Sequence, residues 1–244
     1  MNTKSQQRLD KLLSELGFTR SEAKRMIASG RVSVSGVVTR DSGQKADARN
    51  VTVDGKALIV AEETHIMLYK PAGIVTATED VRDRTVISLL PEGLRKKNLG
   101  PVGRLDKDTT GFVLLTTDGQ LAHRLISPKW KTEKRYRVTC QGCLTQEEEK
   151  CFREGIALKD FTTLPAKIKP IECTNICSIY EVAIIEGKYH QIKRMFGALG
   201  HPVTALHRFS IAGVTLDKSL LPGEARLLTE EETIELYRRV GMHE

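Results

Sequence analysis

The stretch GRLDKDTTGFVLLTTDG, residues 103–119, narrows what this chain can fold into more than any other. Phe112, Val113, Leu114 and Leu115 form an unbroken apolar run, with Asp118 and Gly119 behind it. Branched and aromatic residues bounded by turn formers read as a buried strand that ends in a tight turn. Arg104, Asp106, Lys107 and Asp108 crowd just ahead of that strand. A rigid scaffold presents reactive side chains at such a strand mouth. An ordinary surface loop would instead pair the same charges in water, for about 0 to 1 kcal/mol per pair. This stretch alone leaves both readings open.

The chain around it has 244 residues, enough for a small domain joined to a larger one. Its formal charge of +7 is that of a protein that draws in polyanions, and nucleic acid is the usual one. No apolar run reaches the roughly 18 to 20 residues that span a bilayer, and MNTKSQQRLD lacks the apolar core of a signal peptide. The expectation is a cytoplasmic protein without a membrane partner. Five cysteines fit reduced thiols rather than a disulfide framework. Cys140 and Cys143 make a CxxC, with Cys173 and Cys177 further on, so zinc has to be weighed. The apolar surroundings and the CxxxC spacing of the second pair favour buried thiols.

Near the amino terminus Leu9, Leu12, Leu13 and Leu16 recur at helical spacing, and Gly17 ends that helix. Thr19 and Glu22 form a capping box for a second helix, with Ala23, Met26 and Ile27 on its apolar face. Ser21, Lys24 and Arg25 share another face, and Arg8, Arg20 and Arg31 lie on or near this unit. Val32 and Val34, the Ser35-Gly36 turn, Val37 and Val38, then Val51, Val53 and Asp54-Gly55 read as short hairpin strands. A join without Pro, Gly or Ser runs through residues 58–65, with the boundary placed near Glu62.

Beyond it, YKPAGIVTAT holds a turn at Pro71 and Gly73 with Lys70 at its shoulder. TVISLL, residues 85–90, reads as a short helix, and Arg95, Lys96 and Lys97 follow in a loop. Residues 120–126 also read as a helix. Past Lys134, Tyr136, Val138 and Cys140 alternate on one face of a strand, where a tyrosine is most simply a core residue. Residues 147–155 and the tail from Thr229 read as helices, and SIYEVAII, residues 178–185, as a strand. Ile192, Met195, Phe196 and Leu199 fall on one helical face, punctuated by Lys188, Lys193 and Arg194. His190, at the start of this helix, reads as structural.

YKPAGIVT, GRLDKDTTGFVLLTTDG, EKRYRV and EGKYHQIKRMF occur in the order and spacing of the RNA pseudouridine synthases. Residues 6–55 resemble the S4-type RNA-binding domain, and the whole resembles the RsuA type. Enzymes of the RluB, RluE and RluF type, which act on large-subunit rRNA, tend to carry Arg-Arg where this chain has Lys193-Arg194 and lack its Tyr189-His190. Ala212 stands where the RsuA pattern leads one to expect glycine. The resemblance implies an α+β chain: an S4-like domain over residues 1–61, then a catalytic domain over 62–244 on a mainly antiparallel sheet flanked by helices and loops. It implies isomerisation of a uridine in small-subunit ribosomal RNA, free or in a precursor particle, by a monomer needing no metal or organic cofactor. It makes Asp106 the catalytic aspartate, Lys193 its basic partner, Tyr136 the active-site tyrosine, and Arg104 the residue that helps hold the target nucleotide flipped out. Arg8, Arg20, Ser21, Lys24, Arg25, Arg31, Lys70, Lys134 and Arg194 are the expected RNA contacts. A non-catalytic ribosome-assembly protein is the competing class, and the carboxylate argues against it, since binding alone does not require one.

Overall fold

The computed structural model describes residues 6–15, 18–57 and 63–242. Leu16, Gly17 and the expected join at 58–62 lie outside the described residues. The chain forms two compact units, dividing between Glu62 and Glu63.

The first unit comprises β1 (Gln7–Arg8), α1 (Leu9–Glu15), α2 (Arg20–Ala28), β2 (Val32–Val34), β3 (Val37–Val38), β4 (Lys45–Ala46), β5 (Val51–Val53) and β6 (Lys56–Ala57). Thr19 caps α2 by accepting from the Glu22 amide, while the Glu22 carboxylate accepts from the Thr19 amide at 2.7 Å. Leu9, Leu13, Ala23, Met26, Ile27, Val32, Ala46 and Val51 close its core. With α2 packed through Ala23, Met26 and Ile27, the residues Arg20, Ser21, Lys24 and Arg25 are left exposed.

The second unit holds β7 (His65–Lys70), β8 (Gly100–Pro101), β9 (Thr110–Thr116), α3 (Gly119–Ile126), β10 (Lys134–Gln141), α4 (Gln146–Glu154), β11 (Lys167–Glu172), β12 (Cys177–Ile184), α5 (Gln191–Ala198), β13 (Val203–Ile211), β14 (Val214–Thr215), β15 (Ala225–Leu227) and α6 (Glu230–Arg239). The nine strands make one sheet, ordered β11-β12-β10-β13-β9-β7-β15, with β14 on β13 and β8 on β9. Among these strand pairs in the described residues, β13–β9 alone is parallel. At that contact Gly111 has φ 110, and a Cβ there would lie 2.1 Å from the Arg208 carbonyl oxygen. Glycine alone lets the two backbones meet this closely.

β9 is buried on both faces, which is why its apolar run is continuous rather than alternating. Val113 and Leu115 enter one core with Val138, Tyr180, Phe152 and Phe196, whereas Phe112 and Leu114 enter another with Leu121, Leu125 and Leu236. Helices therefore cover both faces, and each buried Leu or Phe stabilises the sandwich by about 1.5–3 kcal/mol.

Three local expectations change. Residues 85–90 form two successive turns, not a helix, with Ser88 and Leu90 amides bonded to the Thr85 and Ile87 carbonyls. The run is too short to nucleate a helix, and Val86 and Leu90 are instead spent on the core. Asp118 and Gly119 are not a plain turn: Asp118 caps α3, accepting from the Gln120 and Leu121 amides at 2.8 and 2.9 Å. Cys140 is buried, but Cys173 and Cys177 are exposed, because they lie in the β11–β12 hairpin at the sheet edge. Among the described residues no group of three or more His, Cys, Asp or Glu side chains is placed to hold a metal ion. Ala212 adopts φ 53 in the β13–β14 turn, where glycine is freer, and its methyl is buried in the second core. Among the described residues no helix is long and apolar enough to cross a membrane.

Candidate active site

The loop ahead of β9 is held from below by YKPAGIVT. Lys70 Nζ donates to the carbonyls of Pro71, Lys107 and Thr109 at 3.0, 3.2 and 2.7 Å. The Gly73 amide donates to the Lys107 carbonyl at 2.8 Å. Thr76 Oγ1 donates to the Leu105 carbonyl at 2.8 Å and accepts from its amide at 3.1 Å. Leu105 is pinned in the first core, so Asp106 is presented upward on fixed backbone.

Facing it is α5. Ile192, Met195 and Phe196 bury one side of that helix, which turns Lys193 toward the loop. Its first turn is locked by Gln191, buried, which donates to Glu186 Oε1 at 2.7 Å and accepts from the Lys188 amide at 3.0 Å. His190 caps the helix in the left-handed region at φ 49.

These two supports bring the charges together. Lys193 Nζ lies 3.1 Å from Asp106 Oδ2 and 2.6 Å from Asp108 Oδ1. His190 Nε2 lies 3.5 Å from Asp106 Oδ1. Burial opposes the Lys193 charge, but hydrogen bonds and attraction from Asp108 and Asp106 outweigh it and raise the lysine's pKa. The hydrogen bond from Lys193 lowers that of Asp108. Tyr136, buried on β10, joins Arg104, Asp106, Thr109, His190 and Leu206 around a cavity of about 70 Å³. That is room for about two waters. Arg104 is exposed at its rim. A groove of about 660 Å³ lies elsewhere, among Trp130, Arg153, Lys167 and Arg239. Arg153, Lys167 and Arg239 there are paired with Glu149, Glu133 and Glu235, and among the described residues no carboxylate in it is clamped as Asp106 is, so size does not mark the reactive site here.

The four residues expected to do the chemistry, Arg104, Asp106, Tyr136 and Lys193, thus line or adjoin one cavity. The RNA-contact set is less uniform. Lys70 is fully buried beneath the loop and cannot touch RNA, and burial lowers its pKa to about 8. Lys134 is half-buried, donates to the Thr132 carbonyl at 3.2 Å, and is likewise lowered to about 8 by burial and by Arg208. Lys70 is a correction, because its strand turns the side chain into the fold, whereas the half-buried Lys134 stays a proposed RNA contact. Arg8 is paired with Asp10 at 2.8 Å, Arg31 bonds Asp54 at 2.8 Å, and Arg194 pairs with Asp160.

Sequence reasoning missed three participants. His190 reads as structural yet approaches Asp106, and Asp108 shares its cation. Arg208 is 2% exposed and donates from Nε to the Phe112 carbonyl at 2.8 Å; its Nη2 has no partner among the described residues. A lone Arg on a strand gives no sign in sequence that it is buried behind the loop. With Lys70 it makes the ground behind that loop electropositive, which favours anions in front of it.

A family model for RNA pseudouridylate synthase matches residues 64–198, more than half of the chain, and one for the S4 domain matches residues 7–49. The chain belongs to the RNA pseudouridine synthases. Within that family it is of the RsuA type. It is 42% identical to the ribosomal small subunit pseudouridine synthase A of Vibrio cholerae, over 95% of this chain and 100% of that protein. An uncharacterized RNA pseudouridine synthase of Bacillus subtilis, YtzG, is 43% identical over 92% of this chain and 96% of its own. A crystal structure of a pseudouridylate synthase, 38% identical, superposes with a TM-score of 0.68 over 94% of this chain and 99% of the other. The synthase match thus spans the Asp106 loop and α5, and its isomerase activity is that of this chain.

Proposed function

We propose that this synthase isomerises a uridine of small-subunit ribosomal RNA, with Asp106 as the essential carboxylate. The observation that carries the assignment is the clamp on Asp106, with Lys193 at 3.1 Å and His190 at 3.5 Å beside the Tyr136 cavity. Relatives named for the small ribosomal subunit, such as that of Vibrio cholerae, support the choice of RNA.

The reaction breaks the bond between ribose C1′ and uracil N1, turns the base, forms the bond from C1′ to C5, and releases the C5 proton while N1 takes one up, so no atom is gained or lost. Asp106 supplies the anion that attacks or stabilises the electron-poor centre, and Lys193 and His190 hold its oxygens in place. Tyr136 lies against the uracil and keeps the detached base from escaping. The base first leaves its stack at a cost of a few kcal/mol. Arg104 braces the vacated space, and the exposed Arg20, Lys24 and Arg25 of the first unit supply phosphate contacts that offset the cost.

Asp106→Asn tests the assignment. It abolishes product while RNA affinity stays within a few fold, and an active variant refutes it. Mapping pseudouridine in small- and large-subunit transcripts after incubation with the wild type tests the substrate. Product only in the large-subunit RNA would favour the RluB-like reading.

A further inference from the structure

We propose that Tyr189, backed by His190, is a stacking platform for the nucleobase next to the target uridine in single-stranded RNA. The inference rests on the reading of Asp106 as the reacting carboxylate. Tyr189 is 76% exposed although it adjoins a helix with a well-buried face. Its ring is not loose: it stacks on His190 with centroids 3.8 Å apart and planes 17° from parallel. The turn that carries both rings is tied down by buried Gln191 to Glu186 and to the Lys188 amide. One face of the tyrosine is thus covered by imidazole, and its exposure leaves the other to solvent. A preorganised, amphipathic ring open on one face is what a nucleobase stacks on, and every base has such a face to offer.

The position selects the occupant. His190 lines the reactive cavity, with Nε2 3.5 Å from Asp106, and Tyr189 is stacked on it. A base on the outer face of Tyr189 lies about 3.4 Å beyond it, the spacing of stacked bases, while the His190 ring that approaches Asp106 through Nε2 lies on the tyrosine's other face. The target uracil has to reach Asp106 itself, so the stacked base belongs to another nucleotide, the adjoining one on the strand. Its phosphates meet the cation beside the platform, Lys188, held over the Phe161 ring at 5.7 Å; Arg194, over the same ring at 5.2 Å, is already paired with Asp160. Such a base would replace stacking that the strand loses when its neighbour flips out.

The test uses the full chain and a single-stranded oligouridylate carrying one 2-aminopurine. Wild type and Tyr189→Phe quench its fluorescence on binding, and Tyr189→Leu does not. On the ribosomal RNA transcript that the enzyme modifies, Tyr189→Leu raises KM about tenfold, as one lost base–aromatic stack requires, with kcat within about twofold. Quenching retained in Tyr189→Leu, or a fall in kcat at unchanged KM, overturns the platform. The same titration in Asp106→Asn separates the two readings. Activity in that variant overturns the role of Asp106, whereas quenching there that depends on Tyr189 still supports the platform.

Discussion

Removing the Lys193 amine tests how the site holds its charge. The two carboxylates it serves differ in exposure: the Asp106 side chain is 26% exposed and that of Asp108 75%. The Asp108 pair therefore lies mostly in water and is worth about 0 to 1 kcal/mol despite its 2.6 Å length. The Asp106 pair is better shielded, and a hydrogen bond between charged groups there is worth about 1.5–3 kcal/mol. Lys193→Met should thus cost about 1.5–3 kcal/mol of transition-state stabilisation, a fall in kcat/KM of roughly 10- to 150-fold. Asp108→Asn should cost less than about fivefold, and Lys193→Arg, which keeps the charge, should recover most of the loss. Release of tritium from C5 of uridine in the RNA measures all three, since C5 loses its proton in the reaction. Lys193→Met within threefold of wild type, or Asp108→Asn as damaging as Lys193→Met, would refute the reasoning.

Other consequences follow from single positions. Gly111→Ala puts a methyl against the Arg208 carbonyl at φ 110, so chemical denaturation should show a loss of at least about 3 kcal/mol. Hydrogen bonds from the Ser219 amide and hydroxyl and from Arg226 hold the Asp217 carboxyl at about 2, below its ordinary 3.8. That stability is present above pH 3.8 and lost as pH falls through about 2, so Asp217→Asn should be less stable at neutral pH and flatter across that window in acid titrations followed by circular dichroism. Replacing Lys24 and Arg25 together should weaken RNA binding and flatten its salt dependence by up to about two phosphate contacts, as measured by filter binding at several salt concentrations. An unchanged slope would leave the α2 face merely solvated. Thr229→Ala removes the acceptor for the Glu232 amide at the α6 cap and should lower the melting free energy by about 1 kcal/mol.

The sequence by itself determined what is local in this protein. The capping pairs Thr19–Glu22 and Thr229–Glu232, the doubly buried run Phe112–Leu115, and the alternation of Tyr136, Val138 and Cys140 each follow from neighbours a few residues apart. The motif order singled out Arg104, Asp106, Tyr136 and Lys193, which the fold brings to or beside one cavity, because a motif records a spacing in the chain. Tertiary structure decided what depends on through-space distance. Lys193 meets Asp108 across 85 residues of chain, and no periodicity encodes that approach. Nor does a lysine's type say which way its strand turns it: Lys70 reads as an RNA contact, yet three carbonyls beneath the loop take its ammonium. TVISLL reads as helix because of its spacing, but Val86 and Leu90 are worth more in the core than a single helical turn is worth to the backbone. Local pattern fixes the elements, and long-range packing alone fixes which charges face one another.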